Sequence, residues 1–332
     1  MIRVKLTHRG SLDNENNPFR NQSPNNEGKW GHCIFTFNPL EENYDWLVII
    51  DDVAKLVPNR IEVLKCPKEN TILVTTEPSS ISRYGRGFAK QFHYLITNQD
   101  VNVLPHPNAL RSQTGNIWMY GEDYDTMKKI APIKKTKKIS TICSNKQQGH
   151  TTHQSRYLFT QIMEKEIASL ERFGRGFKWI DKKSQALDDY EFHVAIENHI
   201  GEHVWTEKLA DAFLGYTVPI YAGCPNVYDY FPRNSVIQID IKDVEGSIKK
   251  IKEVISTEGE YEKRFDAVVE ARRRVLEEYN LLAMINKIVE NAEDATFQPN
   301  QKIYSRRLMR VRYLPDLFRY FGFRIVNFLK NF

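Results

Sequence analysis

The sequence predicts an α/β protein of two domains, each built on a sheet covered by helices, followed by a basic amphipathic tail. Three observations predict it. The 332 residues are more than one ordinary α/β layer uses and suit two domains of about 150 residues each. Short apolar runs alternate with polar loops, and in the second half a strand, a loop and a helix recur in that order, the pattern of a Rossmann-like domain. From Lys302 onward eight Lys/Arg stand against one acid, Asp316, a formal +7 in a chain whose total is +5, which leaves −2 for the rest. The expected division is 1–133, 134–300 and 301–332.

In the first domain, residues 11–29 are rich in Asn, Pro, Ser and Gly and predict a loop. Strand-like runs come next at Cys33–Phe37, Trp46–Ile50, Thr71–Thr75 and His93–Thr97, with Pro58 and Pro67 preventing a long helix between them. The domain is expected to end near Ile130. The run Lys134–Lys138 (KKTKK) reads as a solvated linker before a strand at Ile139–Cys143. A polar loop then opens a helix over about 156–170, with Leu158, Phe159, Ile162, Met163 and Ile167 on its buried face. Further strands are predicted at Phe192–Ile196 and Val218–Tyr221. The tetrapeptide GRGF occurs at Gly85–Phe88 and at Gly174–Phe177; two such matches do not make a repeat, and each reads as a separate turn.

Several classes are set aside. No apolar run approaches the roughly 20 residues of a membrane span. The N-terminus MIRVKLTHRG lacks the apolar stretch of a signal peptide, so a cytoplasmic protein is expected. Cys33, Cys66, Cys143 and Cys224 are far apart with no CxxC spacing and read as reduced structural thiols rather than zinc ligands. A body of net charge −2 is not a nucleic-acid binder on charge grounds.

The chemistry concentrates in Tyr190–Gly223, YEFHVAIENHIGEHVWTEKLADAFLGYTVPIYAG. Thr206 reads as the N-cap of a helix that buries Leu209, Ala212 and Phe213, and Gly215 as its C-terminal stop. The free N–H groups and positive dipole end of that helix suit a diphosphate. Lys208 adds a full charge there, and Glu207 can accept hydrogen bonds from sugar hydroxyls. His199 and His203 read as polar loop residues.

This segment resembles the signature of family 10 glycosyltransferases, the α1,3/α1,4-fucosyltransferases. That pattern runs YKF-x-L-x-FEN, a short loop, YVTEK, a VP-I/V strand and a downstream P-x-S-F/V-I. Here its parts stand as Tyr190–Ile196, Glu197-Asn198, Thr206-Glu207-Lys208, Thr217-Val218-Pro219-Ile220 and Pro232-Arg233-Asn234-Ser235-Val236-Ile237. Val204 stands where the family carries an aromatic, and IEN replaces FEN, so the segment speaks for a GDP-sugar more firmly than for fucose.

The resemblance implies a GT-B architecture, two Rossmann-like domains facing across a cleft, and inverting transfer of a sugar, L-fucose from GDP-fucose, to a hydroxyl of a glycan in surface polysaccharide or lipopolysaccharide assembly. It implies donor binding by Arg156, Asn198, Glu207, Lys208, Glu197 and Thr206, with Arg156 and Lys208 on the diphosphate. Inversion needs a carboxylate to take the acceptor proton. Glu77, directly after the strand at 71–75, meets that need, and Leu73–Pro78 (LVTTEP) resembles the family's TGEN stretch, with Thr76 in place of its glycine and Pro78 in place of its asparagine.

No cofactor and no metal are expected, since fixed cations would stabilise the leaving diphosphate. The competing scheme is a GT-A fold with a DxD metal motif, which Asp123-Tyr124-Asp125 fits by spelling and the Asp51-Asp52 pair after a strand resembles. Two other readings stay open: transfer of another nucleotide-sugar on the same scaffold, and a non-catalytic descendant that binds a glycan or nucleotide. Residues 302–332, divided by Pro315, are expected either to lie on an anionic membrane at its cytoplasmic face, near a lipid-linked acceptor, or to pack on the body.

Overall fold

The computed structural model describes residues 1–10, 17–115, 117–145 and 152–329. The chain divides into two compact units, 1–116 with 123–125 and 280–332, and 117–122 with 126–279. The division expected from sequence placed 280–300 in the second domain and the tail apart; both return instead to the first unit.

The first unit is a seven-stranded sheet in the order β2-β3-β1-β4-β6-β7-β8. Its strands are β1 (Ile2–His8), β2 (Lys29–Trp30), β3 (Cys33–Thr36), β4 (Trp46–Ile50), β6 (Thr71–Thr75), β7 (Tyr94–Thr97) and β8 (Ala109–Arg111), while β5 (Ile61–Val63) pairs elsewhere. All neighbours are parallel except β2 with β3. The central strands WLVII and TILVT are buried along their whole length, as expected where helices or loops cover both faces. Short helices α1 (Pro18–Asn21) and α2 (Arg86–Ala89) interrupt the connections. Helix α1 lies inside the stretch expected as loop, because Asn17 accepts hydrogen bonds from the N–H groups of Phe19 and Arg20 and Pro18 opens the turn; residues 11–16 of that stretch lie outside the described residues.

Strand β1 escapes a reading by periodicity because charged residues interrupt it, yet it sits between β3 and β4. Lys5 is buried there and pairs with Glu62 at 2.7 Å, and Tyr44 also reaches that carboxylate at 3.1 Å. Lys5 is thus half of an interior ion pair whose partner lies 57 residues away.

Helix α3 (Tyr124–Lys129) leads along the chain to the second unit, a five-stranded, wholly parallel sheet in the order β10-β9-β11-β12-β13. Its strands are β9 (Lys137–Ile142), β10 (Leu170–Phe173), β11 (Tyr190–Ile196), β12 (Val218–Ala222) and β13 (Ile237–Gln238). Helix α4 (His153–Glu166) joins β9 to β10, α5 (Glu207–Leu214) joins β11 to β12, and α6 (Val244–Ser256) and α7 (Glu260–Glu277) come after β13. Pro219 is tolerated in β12 because the ladder with β13 begins only at Ile220.

Two local expectations are corrected by the fold. The α4 helix ends at Glu166, and Leu170 already belongs to β10. Its buried face is Arg156, Phe159, Thr160 and Met163, with Ile167 just beyond its end, while Leu158 and Ile162 face solvent; the buried set follows the i, i+3, i+4, i+7 spacing of a helix face. The lysine run is exposed at Lys134, Lys137 and Lys138, as expected, but it lies inside the second unit and is tied down rather than free. Lys135 donates to the carbonyls of Asp188 and Gly215, each at 2.7 Å, burial lowers its pKa to about 8 against the opposing pull of Asp188 and Asp189, and Lys137 and Lys138 are already strand residues paired with Glu171 and Glu191.

Helix α8 (Leu281–Glu290), strand β14 (Lys302–Tyr304) and helices α9 (Arg306–Arg312) and α10 (Leu314–Leu329) complete the first unit. Strand β14 pairs antiparallel with β5. Ile303 enters the core beneath β4 and β6, and Met309 packs against it. Asp316 is buried and accepts the N–H groups of Arg86 and Gly87, each at 2.8 Å. The base of the tail therefore docks on the body. Farther along, Phe318, Phe321 and Ile325 are 71%, 54% and 59% exposed. Among the described residues no helix is long and apolar enough to cross a membrane.

Candidate donor site and acceptor-side carboxylate

Strand β11 ends at Ile196, and the next two residues organise the turn between it and α5. Glu197 is fully buried. Its carboxylate accepts the N–H of Thr206 at 2.8 Å and the Thr206 hydroxyl at 2.6 Å, with the Lys208 ammonium 3.4 Å away. Thr206 Oγ1 in turn caps α5 by accepting the N–H of Lys208. Glu197 is thus a brace that fixes the first turn of α5 to the end of β11. The backbone carbonyl of Glu197 accepts the Thr152 hydroxyl at 2.6 Å, and Arg156 N–H donates to the Thr152 carbonyl at 2.8 Å. The start of α4 is tied to the same turn.

That tie places Arg156. Its Nη1 donates to Asn198 Oδ1 at 2.7 Å, and its buried Nε has no partner. Arg156, Asn198, Glu207 and Lys208 line one cavity of about 270 Å³ at the carboxyl end of β11, where an open parallel sheet ordinarily takes its ligand. Glu197 and Thr206, also expected as donor contacts, stand behind the wall, because their polar atoms are directed at each other.

The cavity holds two further cations that sequence reasoning missed, Arg175 and Lys183. Arg175 is presented by a turn between Gly174 at φ +124° and Gly176 at φ +89°. A Cβ on Gly176 would stand 2.9 Å from the Asn145 side chain, so the second GRGF needs its glycines for close approach. The first GRGF is different: Gly85 precedes α2 and Phe88 is core. Lys183 pairs with Asp211 at 2.7 Å and lies 4.0 Å from Glu207. Four cations face Glu207 and Asp211, leaving a formal surplus of two positive charges.

The charge states are set by these neighbours. Burial opposes ionisation of Glu207, but Lys208 and Lys183 outweigh it and bring its pKa down to about 2. Burial likewise disfavours the Lys208 ammonium, and Glu197 with Glu207 overcomes it and raises its pKa. For Asp211 burial prevails over Lys183, and the pKa rises to about 6. His193 also lines the cavity. Burial, with Lys183 adding to it, lowers its pKa to about 3. Its Nδ1 lies 2.8 Å from Ser140 Oγ, whose own hydrogen goes to the Ala186 carbonyl at 2.5 Å; Nδ1 is therefore the protonated nitrogen of a neutral ring. His203 is engaged outside the cavity by Tyr230 Oη at 2.6 Å and Asn226, and His199 does not line it. Val204 is buried beside Trp205, which packs among Tyr230, Phe231 and Tyr279.

Glu77 belongs to the first unit, directly after β6. Its N–H donates to Tyr84 Oη at 3.0 Å, and its carbonyl accepts Gln99 Nε2 at 2.9 Å. Burial first and Asp51 second raise the pKa of its carboxyl group. Asp51 is the hub of this corner. At φ +63° it accepts the Thr76 N–H and hydroxyl, at 2.8 and 2.6 Å, and the Tyr84 hydroxyl.

The acid pairs of the competing scheme have other partners. Asp125 accepts the Asn25 N–H at 2.6 Å and Asp123 the Asn26 amide at 3.1 Å, while Asp52 accepts from Val53, Arg60 and Arg306. Among the described residues no three His, Cys, Asp or Glu side chains gather as a metal set would. All four cysteines are free and buried.

Residues 132–292 match the model of Glycosyltransferase family 10 (fucosyltransferase) C-term. An alpha-(1,3)-fucosyltransferase, FucT, of Helicobacter pylori is 29% identical over 140 residues, which cover 39% of this chain and 28% of the relative. An alpha-(1,4)-fucosyltransferase of Arabidopsis thaliana is 47% identical over 60 residues, 18% of this chain and 15% of the relative. The matched stretches thus span less than a third of either relative. Among solved structures, an alpha1,3-fucosyltransferase with GDP superposes with a TM-score of 0.50 at 15% identity, covering 83% of this chain and 90% of that one. At that identity the likeness is one of fold, the α/β GT-B fold of glycosyltransferases. Motif order, cavity and family match converge on one segment: residues 132–292 are similar to the C-terminal domain of glycosyltransferase family 10, the fucosyltransferase family.

Proposed function

We propose that this protein transfers a sugar, L-fucose from GDP-fucose, to a hydroxyl of a glycan, with inversion at the anomeric carbon. The observation that carries the reading is the convergence of Arg156, Arg175, Lys183 and Lys208 with the N-terminus of α5 on one cavity, inside the segment that matches the family. The glycosyl–phosphate bond breaks as the acceptor oxygen attacks. The departing diphosphate takes its charge onto those cations and the α5 N–H groups, which are held in place before the reaction and need not reorganise. Glu77 accepts the acceptor proton, and a pKa raised by burial suits a general base working near neutrality.

Fixed cations supply what a divalent metal supplies elsewhere, so transfer should persist in excess EDTA. The acceptor is a surface glycan under assembly, carried on a lipid at an anionic membrane that the exposed face of α10 meets. Because Ile303 and Asp316 anchor the tail in the first unit, the membrane contact is tested by Phe318→Ser with Phe321→Ser in the full chain rather than by truncation. Loss of pelleting with anionic vesicles supports the contact, and unchanged pelleting refutes it. The donor reading is tested by thermal shift, since a ligand of the native state raises its melting temperature. GDP and GDP-fucose should raise Tm while UDP-sugars should not, and a response to UDP-sugars alone overturns the donor assignment.

A further inference from the structure

A second cavity, of about 440 Å³, lies wholly in the first unit, between residues 83–104 and α10. Its wall carries the guanidinium groups of Arg83, Arg86, Arg310 and Arg319 against a single carboxylate, Asp316. That carboxylate is already directed at the N–H groups of Arg86 and Gly87. Arg83, Arg310 and Arg319 form no ion pair among the described residues. Arg83 lies over the Phe323 ring at 5.4 Å and Arg310 over Tyr320 at 3.7 Å, and the Nε of Arg86 is buried without a partner. Partial burial lowers the pKa of both Arg83 and Arg310. Half-buried guanidinium groups gathered beside one carboxylate that is already engaged are costly, and an anion placed among them lowers that cost.

We propose that this cavity holds the phosphate headgroup of an anionic membrane lipid. The guanidinium fork matches phosphate geometry. The rest of the wall is apolar, through Val103, Leu104, Phe323 and Val326, and Val326 adjoins the exposed Ile325 on α10. Acyl chains leaving the headgroup would run along that face. A soluble sugar phosphate would leave the apolar wall and the exposed phenylalanines uncovered. The cavity adds a stoichiometric headgroup site to the membrane contact proposed above and rests on that reading.

The test uses the full chain and dihexanoyl phosphatidylglycerol below its micelle concentration, followed by titration calorimetry. One lipid should bind per chain. Dihexanoyl phosphatidylcholine and inorganic phosphate should each bind at least tenfold more weakly. Arg83→Gln, which leaves the tail's charge intact, and Arg319→Gln, on the exposed face of α10, should each weaken binding at least tenfold, in line with about 1.5–3 kcal/mol for a charged hydrogen bond. Arg307→Gln, which does not line the cavity, should change it less than twofold. A Tm and GDP affinity equal to wild type certify each fold. Phosphate binding as tightly as the lipid, no binding of the monomeric lipid, or binding indifferent to both Arg83→Gln and Arg319→Gln overturns the proposal. If vesicle pelleting persists in that last case, the cavity is refuted and the membrane reading stands; if vesicles do not bind while the monomeric lipid does, the membrane reading alone fails.

Discussion

The carboxylate of Asp51 accepts the hydroxyl of Thr76 at 2.6 Å, one residue before the carboxylate proposed as general base. Through Tyr84, which donates to Asp51 and accepts the Glu77 N–H, the same side chain holds both sides of Glu77. Its charge is also the second cause, after burial, of the raised pKa of that group. Asp51→Asn keeps a residue that tolerates positive φ but removes the charge. Transfer should fall about 10- to 100-fold, as expected for a misplaced catalytic group, and the acid limb of the rate profile should move to lower pH. An unmoved limb would make Asp51 purely structural.

Glu77→Gln should lower transfer by at least about 100-fold, the usual contribution of a positioned base. GDP affinity should stay within twofold, because the donor cavity lies in the other unit. Full activity in this variant would remove Glu77 from the mechanism.

In the donor cavity, Lys208→Ala and Arg156→Ala should each weaken GDP by about 10- to 100-fold, the equivalent of about 1.5–3 kcal/mol for a charge-assisted hydrogen bond. Arg175→Ala is the cleanest case, since that side chain is exposed and its loss should leave Tm unchanged. Its GDP affinity should fall and depend less steeply on salt than that of wild type.

Glu197→Gln should behave oppositely. It weakens the brace on Thr206 and the pairing with Lys208, so stability should fall by about 1–3 kcal/mol. GDP affinity should drop only as far as α5 is disturbed. A hundredfold loss of GDP binding at unchanged Tm would show instead that Glu197 touches the donor.

His193 predicts an acid dependence of stability. Its pKa falls from the ordinary 6.5 to about 3 on folding, so between those values the unfolded chain binds more protons. Its contribution is complete above pH 6.5 and is lost as pH falls toward 3, at up to about 1.4 kcal/mol per pH unit. Glu207 acts lower: with its pKa depressed from 4.5 to about 2, its contribution is present above 4.5 and disappears as pH drops toward 2. Urea unfolding at pH 7, 6 and 5 should show a shallower slope in His193→Gln, and an identical slope would mean the ring is already protonated when folded.

The features legible in the sequence are local ones. Tyr190 to Ala222 forms β11, a turn, α5 and β12 in continuous order, so motif spacing, the Thr206 cap and the positions of Glu207 and Lys208 could be read directly, and the fully buried strands β4 and β6 announced themselves as unbroken apolar runs. Whatever depends on distant partners was settled by folding alone. Lys5 can sit in the central strand β1 because Glu62 meets it, Lys135 is half-buried because the carbonyls of Asp188 and Gly215 receive it, and Asp51 commands the Glu77 corner from 25 residues before Thr76. Arg175 and Lys183 join the donor cavity only because β10 lies beside β9, bringing the turn after it to the carboxyl end of β11. A charge in the sequence carries no record of what will face it. Burial and pairing are set by chain segments that meet only on folding, so the type of chemistry is written locally, while its full complement of charges is assembled by the fold.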